Sequence, residues 1–162
     1  MDFKNIKKVL DLRCPDCAVA GEEEQVFFVQ PENWTAVAHV LQKDEDLTFD
    51  SLMCLTGYHK ADDDVLGVAY NFHSMSKLHK VEIRIEVPVS SPEIPSVATR
   101  WRAADWHERE AFDMYGIIFT DHPDLKRILL PDDWAGYPLR KNYETPDYYH
   151  GMPIPKNKSD WE

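Results

Sequence analysis

Between residues 66 and 89 the chain alternates. Leu66, Val68, Tyr70 and Phe72 are interleaved with Gly67, Ala69 and Asn71, and Val81, Ile83, Ile85, Val87 and Val89 with Glu82, Arg84, Glu86 and Pro88. A period of two sends successive side chains to opposite faces of a strand, so each segment buries one face and wets the other. An apolar sheet face has to be covered by a second layer. The neighbouring pattern supplies that layer. Trp34, Val37, Ala38 and Leu41 fall at i, i+3, i+4 and i+7 behind Pro31, which marks an amphipathic helix with proline in its first turn. Phe3, Ile6, Val9 and Leu10 give a shorter helix before it.

Two further strands are expected, over 25–29 (QVFFV) and over 47–58, both rich in β-formers. The stretches CPDC and AVAGEEE read as an irregular connection. Pro95 is placed to start a short helix reaching Trp101, AAD interrupts it, and a second helix is expected from about Trp106 to Tyr115 with Gly116 as its C-cap. The acidic triplets at 22–24, 44–46 and 62–64 fall between elements and read as solvated loops. GIIF is one short strand. The expected fold is α+β: one compact domain with a mixed sheet of about four strands packed against helices over residues 1–130, followed by an extended arm over 131–162. Six of the eleven prolines lie from Pro123 onward, and the arm holds Trp134, Tyr137, Tyr143, Tyr148, Tyr149 and Trp161 without any period. Aromatic residues set it apart from disorder-prone tails and suit adhesion to another surface.

Charge and composition exclude several functions. With 29 acidic and 18 basic residues the formal net charge is −11, the wrong sign for nucleic acid or anionic lipid. No apolar run approaches the ~20 residues of a membrane-spanning helix, and MDFKNIKKVLDL lacks the apolar centre of a signal peptide. The three cysteines are too few for a disulfide scaffold, which points to a reducing compartment. Cys14 and Cys17 form a single CxxC that follows a helix instead of opening one, and no second pair is present to complete a zinc or iron–sulfur site. HExxH fails at Ala111, and no Gly-rich phosphate loop or GxSxG elbow occurs. Neither metal nor nucleotide is expected in this chain.

The densest chemistry lies in DWHEREAFDMYG, residues 105–116. Asp105 and Glu108 fit a capping box, and Asp105–Arg109 and Arg109–Asp113 are i, i+4 pairs. Helix physics does not dispose of Glu108, which shares an arc with Ala104, Ala111, Phe112 and Tyr115. Packed on a sheet it would be buried, and a buried carboxylate needs a cation or several donors. Arg127 or Arg140 is the expected partner.

The longer stretch EREAFDMYGIIFTDHPDLKRILLPDDWAGYPLRKNY, residues 108–143, resembles the signature of the C-type subunit of bacterial NADH:quinone oxidoreductase (complex I), the thirty-kilodalton subunit family. The likeness implies a non-redox scaffold in the peripheral arm of a proton-pumping translocase that passes electrons from NADH through FMN and iron–sulfur clusters to quinone. It implies the D-type subunit as main partner near the quinone site, with the B-type and I-type subunits nearby. FMN and iron–sulfur clusters are expected in those neighbours and no cofactor in this chain. The expected location is peripheral, on the cytoplasmic side of the bacterial inner membrane. Glu108, Arg109, Glu110, Asp113, His122, Pro123, Arg127, Arg140 and Lys141 carry over as structural or docking positions, not catalysts. Sister complexes use similar subunits, namely membrane-bound hydrogenases, formate hydrogenlyase and F420H2/ferredoxin-type dehydrogenases. A free-standing enzyme would instead bring Glu108, Asp113 and His122 together in a cleft.

Overall fold

The computed structural model describes residues 2–21, 26–62 and 64–154. Its centre is a five-stranded mixed sheet in the order β1-β2-β5-β4-β3. The strands are β1 (Ala18–Ala20), β2 (Val26–Val29), β3 (Ser51–Lys60), β4 (Val65–Ser74) and β5 (His79–Pro88). The alternating segments are β4 and β5, paired antiparallel from Val65↔Pro88 to Ser74↔His79. β3 adds antiparallel to β4, with a bulge between Leu52 and Cys54, while β2 joins β5 in parallel.

The period-two rule decides the layers. Leu66, Val68, Tyr70 and Phe72 on β4, and Val81, Ile83, Ile85 and Val87 on β5, are buried together. They face α1 (Phe3–Arg13), α2 (Pro31–Lys43) and α3 (Arg102–Tyr115). Trp34 of α2 lies 4.7 Å from Tyr70, and Trp101 4.6 Å from Phe72, centroid to centroid. Burying rings of this size contributes about 1.5–3 kcal/mol each. The opposite face is polar. There the Tyr58 hydroxyl donates to Glu86 at 2.8 Å, Lys60 pairs with the same carboxylate, and Arg84 pairs with Glu82 at 2.6 Å. An antiparallel sheet tolerates such one-sided covering.

The sequence reading and the structure differ at four places. Ala18–Ala20, expected as loop, is a fifth strand that pairs antiparallel with β2 and so satisfies that strand's outer backbone groups. The strand expected from Leu47 begins at Ser51; Leu47 and Phe49 are buried all the same. The segment after Pro95 is no helix. β6 (Glu93–Pro95) pairs in parallel with β7 (Ile118–Thr120), placing Ile94 beside Phe119. A turn over Val97–Trp101 then buries Val97, Ala98 and Trp101, whose indole donates to Phe49 O at 2.9 Å. α3 therefore starts at Arg102, four residues earlier than expected. Its alanines favour continuation, and its N-cap is Trp101 with no side-chain bond, so Asp105 and Glu108 form no capping box. Glu22, Glu23, Glu24, Gln25 and Asp63, and Trp161 in the arm, lie outside the described residues.

Candidate functional site: buried charge on one helix

α3 is 14 residues long and buries three charged side chains, Glu108, Arg109 and Asp113, beside Ala104, Ala111 and Met114. Glu108 and Asp113 are both 0 % exposed. Each carboxylate meets a different solution to desolvation.

Glu108 faces the β6 turn. It accepts from Ser96 Oγ at 2.6 Å and from the Val97 N–H at 2.8 Å. His122 Nε2 stands 3.8 Å away, its ring sealed from solvent. His122 Nδ1 accepts from the Asp124 N–H at 3.0 Å, which leaves the proton on Nε2, directed at Asp105 O (3.3 Å) and Asp105 Oδ1 (3.4 Å). Neither Arg127 nor Arg140 reaches Glu108, contrary to expectation. Without a cation, burial pushes the Glu108 carboxyl up to about 7, opposed by the bonds from Ser96 and Val97 and assisted by the charge of Asp105. The buried Tyr70 hydroxyl nearby is raised too, by burial and then by Glu108.

Asp113 faces the other way. Its Oδ2 accepts three consecutive backbone N–H groups, from Ile128 (3.0 Å), Leu129 (2.7 Å) and Leu130 (3.0 Å). Arg127 Nη1 lies 3.4 Å from Oδ1, close enough for charge pairing though not aligned as a hydrogen bond, since both atoms are otherwise unpartnered. A carboxylate that gathers three amides fixes the path of the chain supplying them.

The remaining motif residues continue this pinning. Arg109 does not form the surface pairs its spacing suggested. Its Nε donates to Lys126 O at 3.3 Å and its guanidinium lies 4.8 Å over the Trp106 ring. Arg140 Nε donates to Tyr115 O at 2.6 Å, and the Leu139 N–H to Met114 O at 3.2 Å, so the arm caps the carbonyl end of α3 with a cation, where the helix dipole favours one. Gly116 is the C-cap as expected, at φ 72°. A Cβ there would meet the Tyr137 ring at 2.5 Å and Arg140 at 2.8 Å, so the position is closed by contact as well as by conformation. Tyr137 lies between the cations of Arg140 (4.5 Å) and Arg127 (5.7 Å). Lys141 contributes its N–H, which donates to His59 Nδ1 on β3 at 2.9 Å. Glu110 and Pro123 are exposed.

Glu108 and His122 thus come together, and Asp113 does not join them. Ser96 and His59 complete the arrangement and were not singled out in the sequence, while Tyr137, expected to serve adhesion in the arm, packs against Gly116 and the two arginines. Ser96 sits in a proline-framed turn whose only signal is a hydroxyl following Pro95. The CxxC ends α1: the Cys14 N–H bonds Leu10 O, and Cys14 Sγ donates to Cys17 Sγ at 2.7 Å. Burial and that bond push the Cys14 thiol up to about 11, away from reactive thiolate character. Among the described residues no three His, Cys, Asp or Glu side chains are grouped to hold a metal ion, and no helix is long and apolar enough to cross a membrane.

Known proteins share this architecture. Residues 27–149 match the family model of the respiratory-chain NADH dehydrogenase 30 Kd subunit. The chain is 50 % identical over 123 residues to the C-type subunit of the NADH-quinone oxidoreductase of Chloroherpeton thalassium, covering 75 % of this chain and 51 % of that one. It is 39 % identical over 141 residues to the corresponding subunit in Chlorobium phaeobacteroides, covering 85 % of each. The chain therefore spans about half the length of the first relative and most of the second. In fold it is similar to a chain of an archaeal membrane-bound sulfane sulfur reductase (TM-score 0.72, 17 % identity, covering 87 % of this chain and 84 % of that one). It is also similar to the trypsin-resistant fragment of Nqo5 (TM-score 0.59, 22 % identity, covering 74 % and 98 %). The family match and the identities lead to one conclusion: the chain belongs to the 30 Kd subunit family of the respiratory-chain NADH dehydrogenase.

Proposed function

We propose that this chain is the C-type subunit of a NADH:quinone oxidoreductase and serves it as a scaffold, with the electron carriers held by its neighbours. One observation supports this most: the buried and half-buried charges of the motif are engaged by the chain's own backbone and side chains. Glu108 is tied to the β6 turn, Asp113 to residues 128–130, Arg109 to Lys126 and Arg140 to Tyr115. Glu108 and His122, the pair with acid–base character, have side chains closed to solvent, which disfavours the reading as a free-standing enzyme. Among what the pinned unit and the arm offer outward are large apolar side chains: Trp106, Leu129, Leu139, Tyr148 and Met152 are each at least half exposed. Apolar anchors on a rigid base suit docking.

In this reading the helix–loop unit and the arm of residues 131–162 hold the D-type subunit beside the quinone site, with the B-type and I-type subunits adjacent. The chain lies peripherally on the cytoplasmic side of the membrane. The test removes residues 131–162, or replaces Leu129 and Leu139 with aspartate, and asks whether the D-type subunit still co-purifies. Loss of co-purification with the sheet domain intact by circular dichroism is expected. Normal assembly with normal NADH:quinone activity would overturn the proposal.

A further inference from the structure

The two edges of the central sheet are treated differently. β1 closes one side with three residues, and shortness is a common way to blunt an edge. β3 closes the other with ten, Ser51–Lys60. β3 carries no proline, and its one lysine is its last residue. Half of a strand's backbone donors and acceptors point away from its partner. Among the described residues those of β3 meet no backbone group other than those of β4. A groove of about 170 Å³ runs along this edge. One wall is Cys54 to Gly57; the other is His107, Glu110, Ala111, Met114 and Tyr115 of α3, with Leu139 at one end. The walls approach because Gly57 has no side chain: a Cβ there would lie 2.7 Å from the Tyr115 ring.

We propose that the β3 edge receives an extended segment of a different polypeptide as a sixth strand. The chemistry on the two walls defines the guest. The open edge asks for a backbone in strand conformation, which gives main-chain hydrogen bonds to any sequence. Side chains of the guest alternate. Those turned toward α3 meet Ala111, Met114 and Tyr115 and are apolar. A cation among them is matched by Glu110, which is exposed on the groove wall. A second copy of this chain fits poorly, since each carries a net charge of −11. The inference rests on the docking reading above and adds a contact that the arm does not make.

Hydrogen exchange of the full chain, alone and within the complex purified through a tagged neighbour, tests it. Alone, the β3 amides that do not face β4 exchange readily. In the complex every second amide from Cys54 to Lys60, beyond the bulge, slows by about 100-fold or more, the signature of a new ladder. A photo-crosslinker replacing Thr56 in the same complex captures a segment of another polypeptide of the assembly. Uniform or absent slowing along β3 overturns the proposal, as does a crosslink to a second copy. A chain that fails to co-purify with any neighbour overturns the docking reading along with it, whereas co-purification with unprotected β3 amides sinks the edge alone.

Discussion

Two carboxylates five residues apart on α3, both sealed from water, are kept in different ways. Asp113 has three amides and a nearby guanidinium. Glu108 has one hydroxyl, one amide and an imidazole at the edge of contact. The first arrangement uses the carboxylate to hold a loop. The second leaves the ion under-supplied, and the carboxyl rises to about 7. What differs is the donor set, not the depth of burial: Asp113 gathers the amides of a whole loop, while Glu108 has too few donors to offset its desolvation.

The contrast breaks most visibly at Asp113. Asp113→Ala removes the acceptor for three amides and isolates the half-buried Arg127. Breaking a buried pair in this way costs about 3–5 kcal/mol. Urea denaturation should show that loss, and limited proteolysis should cut first within residues 122–143. A smaller effect distinguishes Glu108. The folded carboxyl keeps its proton up to about 7, against an ordinary value of 4.5. The folded state therefore binds more protons between those values, so stability is full below about 4.5 and falls as pH rises through about 7, by a few kcal/mol at most. Glu108→Gln, which mimics the protonated acid, should match the parent at pH 5 and exceed it in urea midpoint at pH 8. Equal slopes for the two proteins would show that Glu108 does not titrate in this range. The groups facing it are Asp105, His122, Ser96 and Tyr70. Ser96→Ala removes the stronger donor, costs about 1–3 kcal/mol, and moves the descending limb of the pH profile upward. Glu110→Ala, on the wet side of the same helix, should stay within about 0.5 kcal/mol of the parent.

The strands β2, β4 and β5 and the helix α2 were legible because their burial is periodic and local. Trp34, Val37, Ala38 and Leu41 are all fully buried, and Gly116 ends α3 where its lack of a side chain suggested. That Glu108 is buried was readable from its place on the helical wheel. Its partners were not. Ser96 and Val97 precede it by 12 and 11 residues, in a stretch whose prolines equally suit a helix start. They reach Glu108 only because β6 pairs with β7, a contact that no local pattern encodes. The spacing pairs Asp113 with Arg109 at i, i+4 and says nothing of its burial. Its burial follows from the loop of residues 126–130 wrapping that side of α3, where Arg109 is drawn to Lys126 O. Tertiary structure overrode helical spacing at both positions.

The order of strands also has a kinetic meaning. β3, β4 and β5 are joined by short turns and zip together locally, whereas β2 enters the sheet only by placing Phe27 beside Ile83, which closes a loop more than fifty residues long. Chain closure of that length is entropically slow relative to adjacent pairing. The three-strand meander is accordingly expected to form the folding nucleus, with β1, β2 and α2 condensing onto it afterwards. Under that order Val68→Ala slows folding, while Phe27→Leu chiefly hastens unfolding; stopped-flow chevrons showing the reverse pattern would place the nucleus at the parallel pair instead.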